Sequence, residues 1–398
     1  MANTLSFDQI ATLVTSIANQ ATGKSNIVPT DTSSFVAVAQ TALLTGYDPV
    51  IKAMSQILSK TIFSTRPYDA KFKSIQVDNQ TYGNHVRKMN IIDKPFEEDA
   101  RYTIKDGQEY NMFRVNLPQI LQTNFYGAQV FQKSYTWMKD QIDAAFRNPD
   151  ELAAFWGMVT QNNSDMIEQA HENLARACVA NIIGGKIWYA SDHNTSPVSD
   201  GVVHLLSEYK VATGQAELTA QSVLTGDNYP NFIRWCAARV GSICKKMTER
   251  SQKFHVNITG KAVMRHTPLS MQRVYMFTEQ MEQIMSMVLS NTFHDNKIKF
   301  RETEEVNFWQ SIETPDSVNV TPSVMNIADG TFKKADAVNQ SNVFGLICDV
   351  EALGYTVVNQ WSGTTPFDVR HGFATTYHHF TDRYWNDFTE NAVVLLMD

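Results

Sequence analysis

Four residues near the carboxyl end of the chain are the best candidates for chemistry: His371, His378, His379 and Asp382. Histidine and aspartate are common metal ligands, so the group raises the question of a metal site. The surrounding pattern predicts a β-strand, in which neighbouring side chains point to opposite faces. His378 and His379 therefore cannot both bind one ion, and His378 with Asp382 supplies two ligands at most. We accordingly predict no metal site.

Motifs for other kinds of catalysis are absent from the sequence. No G-x-S-x-G motif for a serine nucleophile occurs, and Ser242 lies within a predicted helix. Gly184-Gly185 closes a predicted helix, whereas a phosphate-binding loop opens one. Adjacent carboxylates such as Glu304 and Glu305 are typical of a solvated surface. The sequence predicts no catalytic residue and no cofactor, which disfavours an enzyme.

Composition bounds the class of protein. At 398 residues the chain is long enough for two or three structural units. Its net charge of −7 argues against a protein that neutralises nucleic acid. The chain has 22 Phe, 14 Tyr and 7 Trp, residues that are favoured in cores and interfaces. Its four scattered cysteines lack metal-ligand spacing and are typical of reduced, buried thiols.

Signals for export or membrane insertion are not evident. The first residues lack both the basic start and the continuous apolar core of a signal peptide. No apolar run approaches the roughly 18 residues that a membrane-spanning helix needs. We therefore expect a soluble protein that is made in the cytoplasm and has no membrane partner.

A long helix predicted over 148–185 organises the rest of the chain. Asn148-Pro149 combines a capping side chain with a proline where no N–H is needed, and Gly184-Gly185 predicts the end. A helix of this length spans roughly 50 Å, so we expect a spine that joins separate parts. Its apolar line consists of Leu152, Phe155, Val159, Met166, Ala170, Leu174 and Ala177, and its polar faces include His171, Glu172 and Arg176.

Two regions before this helix show no core of their own. Residues 1–62 predict three short amphipathic helices, which form either a subdomain on the main body or an arm along another subunit. Residues 66–137 predict a ribbon of short strands, at 72–77, 84–92, 101–104 and 110–117. Because its charges lie on both faces, the ribbon packs either on its own body or on a neighbour, and we favour the neighbour. The expected contacts with the neighbour are Arg87, Lys88, Glu97, Glu98, Asp99, Arg101, Lys105 and Arg114.

A second long helix is predicted from Pro230. Its apolar stripe faces a core and consists of Phe232, Cys236, Val240, Ile243 and Met247. Basic residues near its carboxyl end suit the helix dipole, and a DNA-facing role is the alternative. They are Lys245, Lys246, Arg250 and Lys253.

The remaining sequence predicts one more helix among β-strands. Residues 254–260 predict a strand, and Thr267-Pro268 opens a third long helix that reaches about residue 292, with Val274 and Phe277 facing inward. Six further strands follow, at 297–300, 306–312, 343–350, 354–358, 372–382 and 392–397. A polar insertion at 314–341 separates the second strand from the third, and the last two strands are antiparallel and end the chain.

The last third also carries a resemblance to a known family. The run FGLICDVEALG at 344–354 is similar to the strand, acidic turn and apolar strand late in tailed-phage major capsid proteins of the HK97-type fold. The aromatic-rich run 372–382 and the run 391–395 are similar to their closing strands. The order of the parts along the chain also resembles that fold. Within the family, the resemblance is strongest to the coat proteins of small short-tailed phages of the phi29 type.

The resemblance implies an α+β fold with an extended β-hairpin called the E-loop, a long spine helix in a P-domain and a mixed α/β A-domain. The implied segments are 1–65 for the N-terminal arm, 66–137 for the E-loop, 138–212 for the P-domain with the spine helix, 213–364 for the A-domain and 365–398 for the closing P-domain strands. Pentamers and hexamers would form through the region 213–294.

The resemblance also implies a function and partners. The chain would be a structural subunit that self-assembles into an icosahedral head around the double-stranded DNA of a tailed phage, in the virion, after assembly in the host cytoplasm. No coiled-coil scaffolding segment is visible in residues 1–65, so a separate scaffolding protein is expected beside a portal protein. The lysine–asparagine crosslink of one branch of the family cannot be assigned to any residue.

Three alternatives stay open at this point. An encapsulin-like nanocompartment shell with the same fold would enclose a cargo enzyme in place of DNA. Another virion component, such as a tail or connector subunit, is the second alternative, and an enzyme is the third.

Overall fold

The computed structural model of the chain describes residues 71–77, 85–94, 117–145, 149–192, 201–223, 228–279 and 303–398, with short pieces at 11–12, 15–19, 37–38, 48–51, 96, 105–107, 113, 115 and 282. Most of the predicted N-terminal arm lies outside these residues. No helix within the described parts is long and apolar enough to cross a membrane.

Helices and strands alternate along the described chain. The helices are α1 (Lys139–Ala145), α2 (Pro149–Asp192), α3 (Leu205–Thr213), α4 (Ala220–Val223) and α5 (Asn228–Met247). The strands are β1 (Val86–Ile91), β2 (Ile120–Phe125), β3 (Ala128–Met138), β4 (Val202–His204), β5 (Gln272–Phe277), β6 (Thr303–Val306), β7 (Val318–Val320), β8 (Ser323–Met325), β9 (Phe332–Lys334), β10 (Val338–Gln340), β11 (Val343–Asp349), β12 (Leu353–Thr364), β13 (Phe373–Asn386) and β14 (Ala392–Leu396).

The spine helix α2 begins where the sequence predicts but ends later. It has 44 residues and continues through Gly184 and Gly185 to Asp192, so the predicted glycine stop is wrong. A Cβ on Gly184 would overlap a methyl group of Val320, and one on Gly185 would overlap the ring of Phe388. The glycines allow close packing in the middle of a buried helix, and this packing outweighs their cost of about 1 kcal/mol each in helix propensity.

The buried face of α2 also differs from the predicted apolar line. Leu174 is buried as predicted, whereas Met166 and Ala177 are exposed. His171, Glu172 and Arg176, which were expected on polar faces, are buried. Each of these three has a polar or ionic partner inside the fold, which is what allows a charged side chain to leave water.

A five-stranded mixed sheet forms the centre of the molecule, in the order β4-β14-β11-β5-β6. Every residue of β11 and β14 is buried. Alternate side chains such as Leu346 and Val394 pack against the second half of α2, whereas Ile347 and Val393 pack against α3 and α5. A sheet that is covered on both faces explains why these strands read as continuous apolar runs.

The predictions for α5 and the last strands are confirmed, and the predicted strand at 254–260 is wrong. The predicted helix from 267 to about 292 is wrong over 272–277, and most of 280–292 lies outside the described residues. Val274 and Phe277 are buried as expected, but they lie in β5, which pairs with β11, and not in a third long helix. A short buried apolar run fits either period, and its β-branched and aromatic residues favour the strand. Residues 254–260 form bends in place of a strand, because the chain turns back at Gly260 (φ +76°) and bridges Ile258 with Lys261.

Strand predictions elsewhere are partly wrong. Residues 307–312 contain no strand, since the strand of this region is β6 at Thr303–Val306. The predicted strand at 72–77 is a turn of 3₁₀ helix over Lys73–Ile75 followed by a single bridge from Gln76 to Tyr355. The predicted polar insertion at 314–341 contains two small antiparallel pairs, β7 with β10 and β8 with β9.

A second sheet has the strand order β12-β13-β3. It packs on α2, at the amino-terminal half of the segment of that helix that is buried. Its central strand β13 alternates as predicted, with Ala374, Thr376 and His378 on the buried face. The long strand β3, which pairs with β13 from Met138 to Ala128, was not predicted. Outside both sheets, β1 and β2 form a two-stranded antiparallel ribbon from Val86↔Phe125 to Ile91↔Ile120.

Candidate inter-subunit surface

The four residues that were considered as metal ligands, namely His371, His378, His379 and Asp382, do not meet at one site in the structure. His371 Nδ1 donates a 2.6 Å hydrogen bond to Asp368 Oδ2 in an exposed turn, and His379 stacks on Trp361 with ring centroids 4.0 Å apart. His378 and Asp382 share the inward face, as the strand period predicts. Among the described residues, no group of three or more His, Cys, Asp or Glu side chains is arranged to hold a metal ion.

Asp382 has a partner that the sequence did not indicate. Its Oδ2 lies 3.3 Å from Nε2 of His171 on α2, and both residues are buried. His171 and Asp382 are 211 positions apart in sequence (382 minus 171), so only the packing of α2 on β13 brings them together. This contact ties the spine helix to the second sheet.

One cavity among the described residues is large enough for a small ligand but has no catalytic pair of side chains. It measures about 610 Å³ and lies beneath the turn between β2 and β3, against Leu174, Phe332 and Trp385. Its cysteine, Cys178, is inert because burial raises the pKa of the thiol to about 12. The cavity therefore offers no support for an enzyme.

The ribbon of β1 and β2 has two different faces. On β1, Lys88 and Asn90 point toward the body of the subunit, and Arg87, Met89 and Ile91 point away from it. The outward face continues on β2 at Ile120, which is paired with Ile91. Met89, Ile91 and Ile120 have exposed fractions of 59%, 67% and 62%. An apolar face of this kind, which the described part of the chain leaves exposed, is typical of an interaction site.

Lys88 is held by partners within its own subunit, and the contact with a neighbour that the charge pattern predicts stays a prediction. Its Nζ lies 2.5 Å from Glu390 Oε1, 3.1 Å from Asp387 Oδ2 and 3.1 Å from Glu351 Oε2. Burial by itself lowers the pKa of Lys88, but the three carboxylates outweigh burial and raise that pKa above its ordinary value. A lysine in the middle of an alternating strand can point to either side, and the acidic turn that attracts it lies 300 residues later.

Further contacts fix the ribbon to a loop of the same subunit. Asp93 accepts a 2.6 Å hydrogen bond from the backbone N–H of Met264 and forms an ion pair with Arg250. Asn90 Oδ1 accepts a 3.2 Å hydrogen bond from Arg265. Arg250 thus has a structural partner, and the DNA-facing alternative for the basic residues after α5 gains no support from it.

The other predicted contact residues divide into two groups. Arg87 and Lys105 are exposed and available to a neighbouring subunit. The remaining five lie outside the described residues: Glu97, Glu98, Asp99, Arg101 and Arg114. The outward apolar residues of the ribbon were not predicted as contacts. The alternation of Met89 and Ile91 with polar neighbours could have indicated an apolar face.

The outward face of the second sheet is a further exposed surface. From Phe373 to Thr381 on β13, the outward residues and their register partners on β3 and β12 include no Lys, Arg, Asp or Glu. Val130 and Trp361 are among its exposed members. Few charges together with aromatic side chains are typical of the centre of a protein–protein interface.

Comparisons with known proteins agree on one class. The sequence model of the family described as Phi29-like phage major capsid protein matches residues 12–396. No curated protein matches the sequence significantly.

Two solved structures share the fold. One is the capsid structure of Staphylococcus phage Andhra, with a TM-score of 0.53 and 12% identity over 85% of this chain and 87% of the other. The second is a chain in the structure of the head fiber and inner core protein gp22 of native bacteriophage P68, with a TM-score of 0.51 and 12% identity over 85% and 88% of the two chains. The predicted HK97-type α+β fold is confirmed.

Proposed function

The chain belongs to the Phi29-like phage major capsid protein family, and on that premise we propose that its ribbon clasps a neighbouring subunit in a shell that encloses double-stranded DNA. The protein is a structural subunit of a phage head, it assembles with copies of itself into the shell, and it is a component of the virion. The family match favours this function over a nanocompartment shell or a tail subunit.

The observation that carries the clasp is the uncovered apolar face of the ribbon. Full burial of a side chain such as Ile or Met contributes about 1.5–3 kcal/mol, so covering Met89, Ile91 and Ile120 offers a substantial driving force. The surface with matching chemistry is the uncharged outward face of the second sheet on another copy. Arg87 and Lys105 would lie at the edge, where charges set register and partner choice more than affinity.

A shell around packed DNA also needs an inner surface that does not hold the genome. The net charge of −7 supports contact with DNA that is neither tight nor sequence-specific. The proposal includes pentamers and hexamers formed through the region 213–294, a separate scaffolding protein, a portal protein and assembly in the host cytoplasm. It keeps the five segments 1–65, 66–137, 138–212, 213–364 and 365–398 as working boundaries.

The clasp is tested with a variant that carries Ile91→Asp and Ile120→Asp. Both residues are exposed in the subunit, so its folding should be little affected, whereas two buried carboxylates should block the contact between subunits. Light scattering and negative-stain images of variant and wild type with scaffolding protein report assembly. The matched control is Val369→Asp, an exposed apolar residue in the turn between β12 and β13.

We expect closed shells from the wild type and the control, and unassembled subunits from the ribbon variant. Normal shells from the ribbon variant would show that this face is not the clasp.

A further inference from the structure

Besides the contacts of Asp93, a buried group of charges attaches the ribbon to the subunit body. Lys88 projects from β1 into a turn, residues 387–390, that connects the closing strands β13 and β14. We propose that Lys88, Asp387 and Glu390 form a latch that holds the ribbon against the subunit body and releases it when Glu390 takes up a proton. The latch belongs to the single subunit and does not depend on whether the ribbon contacts a neighbour.

The turn that receives Lys88 is rigid. Thr389 donates to Asp387 Oδ1 through its backbone N–H, at 2.9 Å, and through its hydroxyl, at 2.6 Å. Asp387 also donates its backbone N–H to the carbonyl of Ala352 at 2.7 Å. One carboxylate oxygen of Asp387 is therefore occupied, and the other, Oδ2, faces Lys88. A fixed carboxylate that is itself buried needs a cation nearby, and the ribbon supplies that cation.

Glu390 connects the ribbon with a second cation. Its Oε1 lies 2.5 Å from Lys88 Nζ and 2.9 Å from Arg265 Nη2, so one oxygen serves both. Arg265 also donates to the carbonyl of Thr389 at 3.1 Å and to Asn90 of β1 at 3.2 Å. Protonation of Glu390 would remove the charge that attracts Lys88 and Arg265 at the same time.

Charged groups from every neighbouring element face this site. Asp387 and Glu390 belong to the turn, Glu351 follows β11, Arg265 lies in the loop after α5, and Lys186 comes from α2. Burial, partly offset by Lys88 and Arg265, raises the pKa of Glu390 to about 7. Complete burial lowers the pKa of Lys186 to about 7.

A nearby histidine does not change this balance. His255, which bonds Asn391 at 3.1 Å, has its pKa lowered to about 4 by burial and is neutral in the relevant range. Acidification through neutral pH therefore neutralises the carboxylate of Glu390 and gives Lys186 a positive charge. Both changes weaken the hold on Lys88.

Release of the ribbon need not unfold the body. The pKa of Glu390 is raised in the folded subunit, so the folded state favours the protonated acid. The stability that this group contributes is fully present below its ordinary pKa and is lost as the pH rises through about 7. The charge of Lys88 holds the pKa of Glu390 down, so that pKa is higher still in a released state in which Glu390 stays buried on its turn without Lys88. Proton uptake therefore favours release of the ribbon while the folded body is retained.

The test is amide hydrogen exchange of the unassembled full-length subunit at about pH 6 and about pH 8, corrected for the intrinsic exchange rate. Peptides that cover β1 and β2 report the ribbon, and peptides that cover β11 and β14 report the body. We expect the ribbon of the wild type to exchange roughly tenfold faster at the lower pH, with the body unchanged. Equal ribbon protection at both pH values would overturn the latch.

Two variants and one control assign the effect. Glu390→Gln should show fast ribbon exchange at both pH values, and Lys88→Met should do the same if it folds. Arg87→Met, on the opposite face of the same strand, should keep the pH dependence of the wild type. Retention of that dependence in Glu390→Gln would also overturn the proposal, and a shell assembly assay of the same proteins separates the latch from the clasp.

Discussion

Gly185 of the spine helix lies against the ring of Phe388, so close that a Cβ on the glycine would stand 2.5 Å from ring carbon Cε1. Phe388 belongs to the turn 387–390, and two other residues of this turn, Asp387 and Glu390, hold Lys88 of the ribbon. The helix, the closing strands and the ribbon therefore meet at this turn. A glycine that the sequence presents as a helix stop is in fact a point of close contact between the helix and this turn.

Gly185→Ala should lower the free energy of unfolding by roughly 1–3 kcal/mol, because the added methyl group overlaps a ring in a packed core. Denaturant unfolding of the unassembled subunit measures this change. Gly157→Ala in the same helix is the control, since nothing lies within 4 Å of a Cβ at that position. It should stabilise the subunit by up to about 1 kcal/mol through helix propensity. Equal effects of the two substitutions would contradict the packing role of Gly185.

Arg176→Met should destabilise the subunit by about 3–5 kcal/mol, because it leaves Glu172 buried without its cation. Arg176 Nε and Nη2 lie 2.9 Å and 2.6 Å from Glu172 Oε1, and the guanidinium lies 3.7 Å from the ring centroid of Phe308. The double variant with Glu172→Gln should recover part of the loss in a denaturant titration. Lys139→Met, which removes an exposed pair with Asp143, should change stability by less than about 1 kcal/mol. A loss no larger than in this control would argue against the buried pair.

Lys186→Met should reduce the pH dependence of stability between about pH 7 and 9. The pKa of Lys186 is lowered to about 7 from an ordinary value of 10.5 by complete burial. Above about pH 7 the unfolded chain therefore holds a proton that the folded chain has released, so this group makes stability rise with pH. Urea midpoints of the two proteins across this range should show a smaller slope for the variant. An exposed substitution, Lys261→Met, should keep the slope of the wild type.

The four cysteines should react with a thiol reagent only after unfolding. All are buried, and burial raises the pKa of Cys178 to about 12 and that of Cys244 to about 11. Because the thiolate is the reactive form, we expect labelling of the native subunit to be at least about a hundredfold slower than labelling in urea. Fast labelling of one thiol in the native subunit would show that its part of the fold opens readily.

Patterns within single elements were enough to predict much of the fold. The stripe of α5 is buried at all five predicted positions, and β11 and β14 lie within one residue of the predicted runs. The opposite faces of His378 and His379, which argued against a metal site, follow from the period of β13. These features depend on spacing along the chain, which the sequence shows directly.

Predictions that depend on what lies opposite a residue were the ones that differed from the structure. Strand β5 of the five-stranded sheet was taken for a helix because a short apolar run has no period of its own, and pairing with β11 decides its conformation. The end of α2 was misplaced because propensity is weak beside packing against Phe388 and Val320. His171 was assigned to the surface because its buried partner, Asp382, is distant in sequence. Glu172 was assigned there because an ion pair four residues apart, such as that with Arg176, is also typical of an exposed helix face.

Patterns along the chain, together with the family resemblance that they carry, were thus enough to predict the class of fold, the order of its parts and a structural role for the subunit. Tertiary structure alone decided that Lys88 points inward and that the apolar residues Met89 and Ile91 point outward. In a two-stranded ribbon, alternation states that the two sets lie on opposite faces but not which face meets the body. The choice depends on Asp387 and Glu390, whose attraction for Lys88 exists only after the closing strands have folded beside the ribbon.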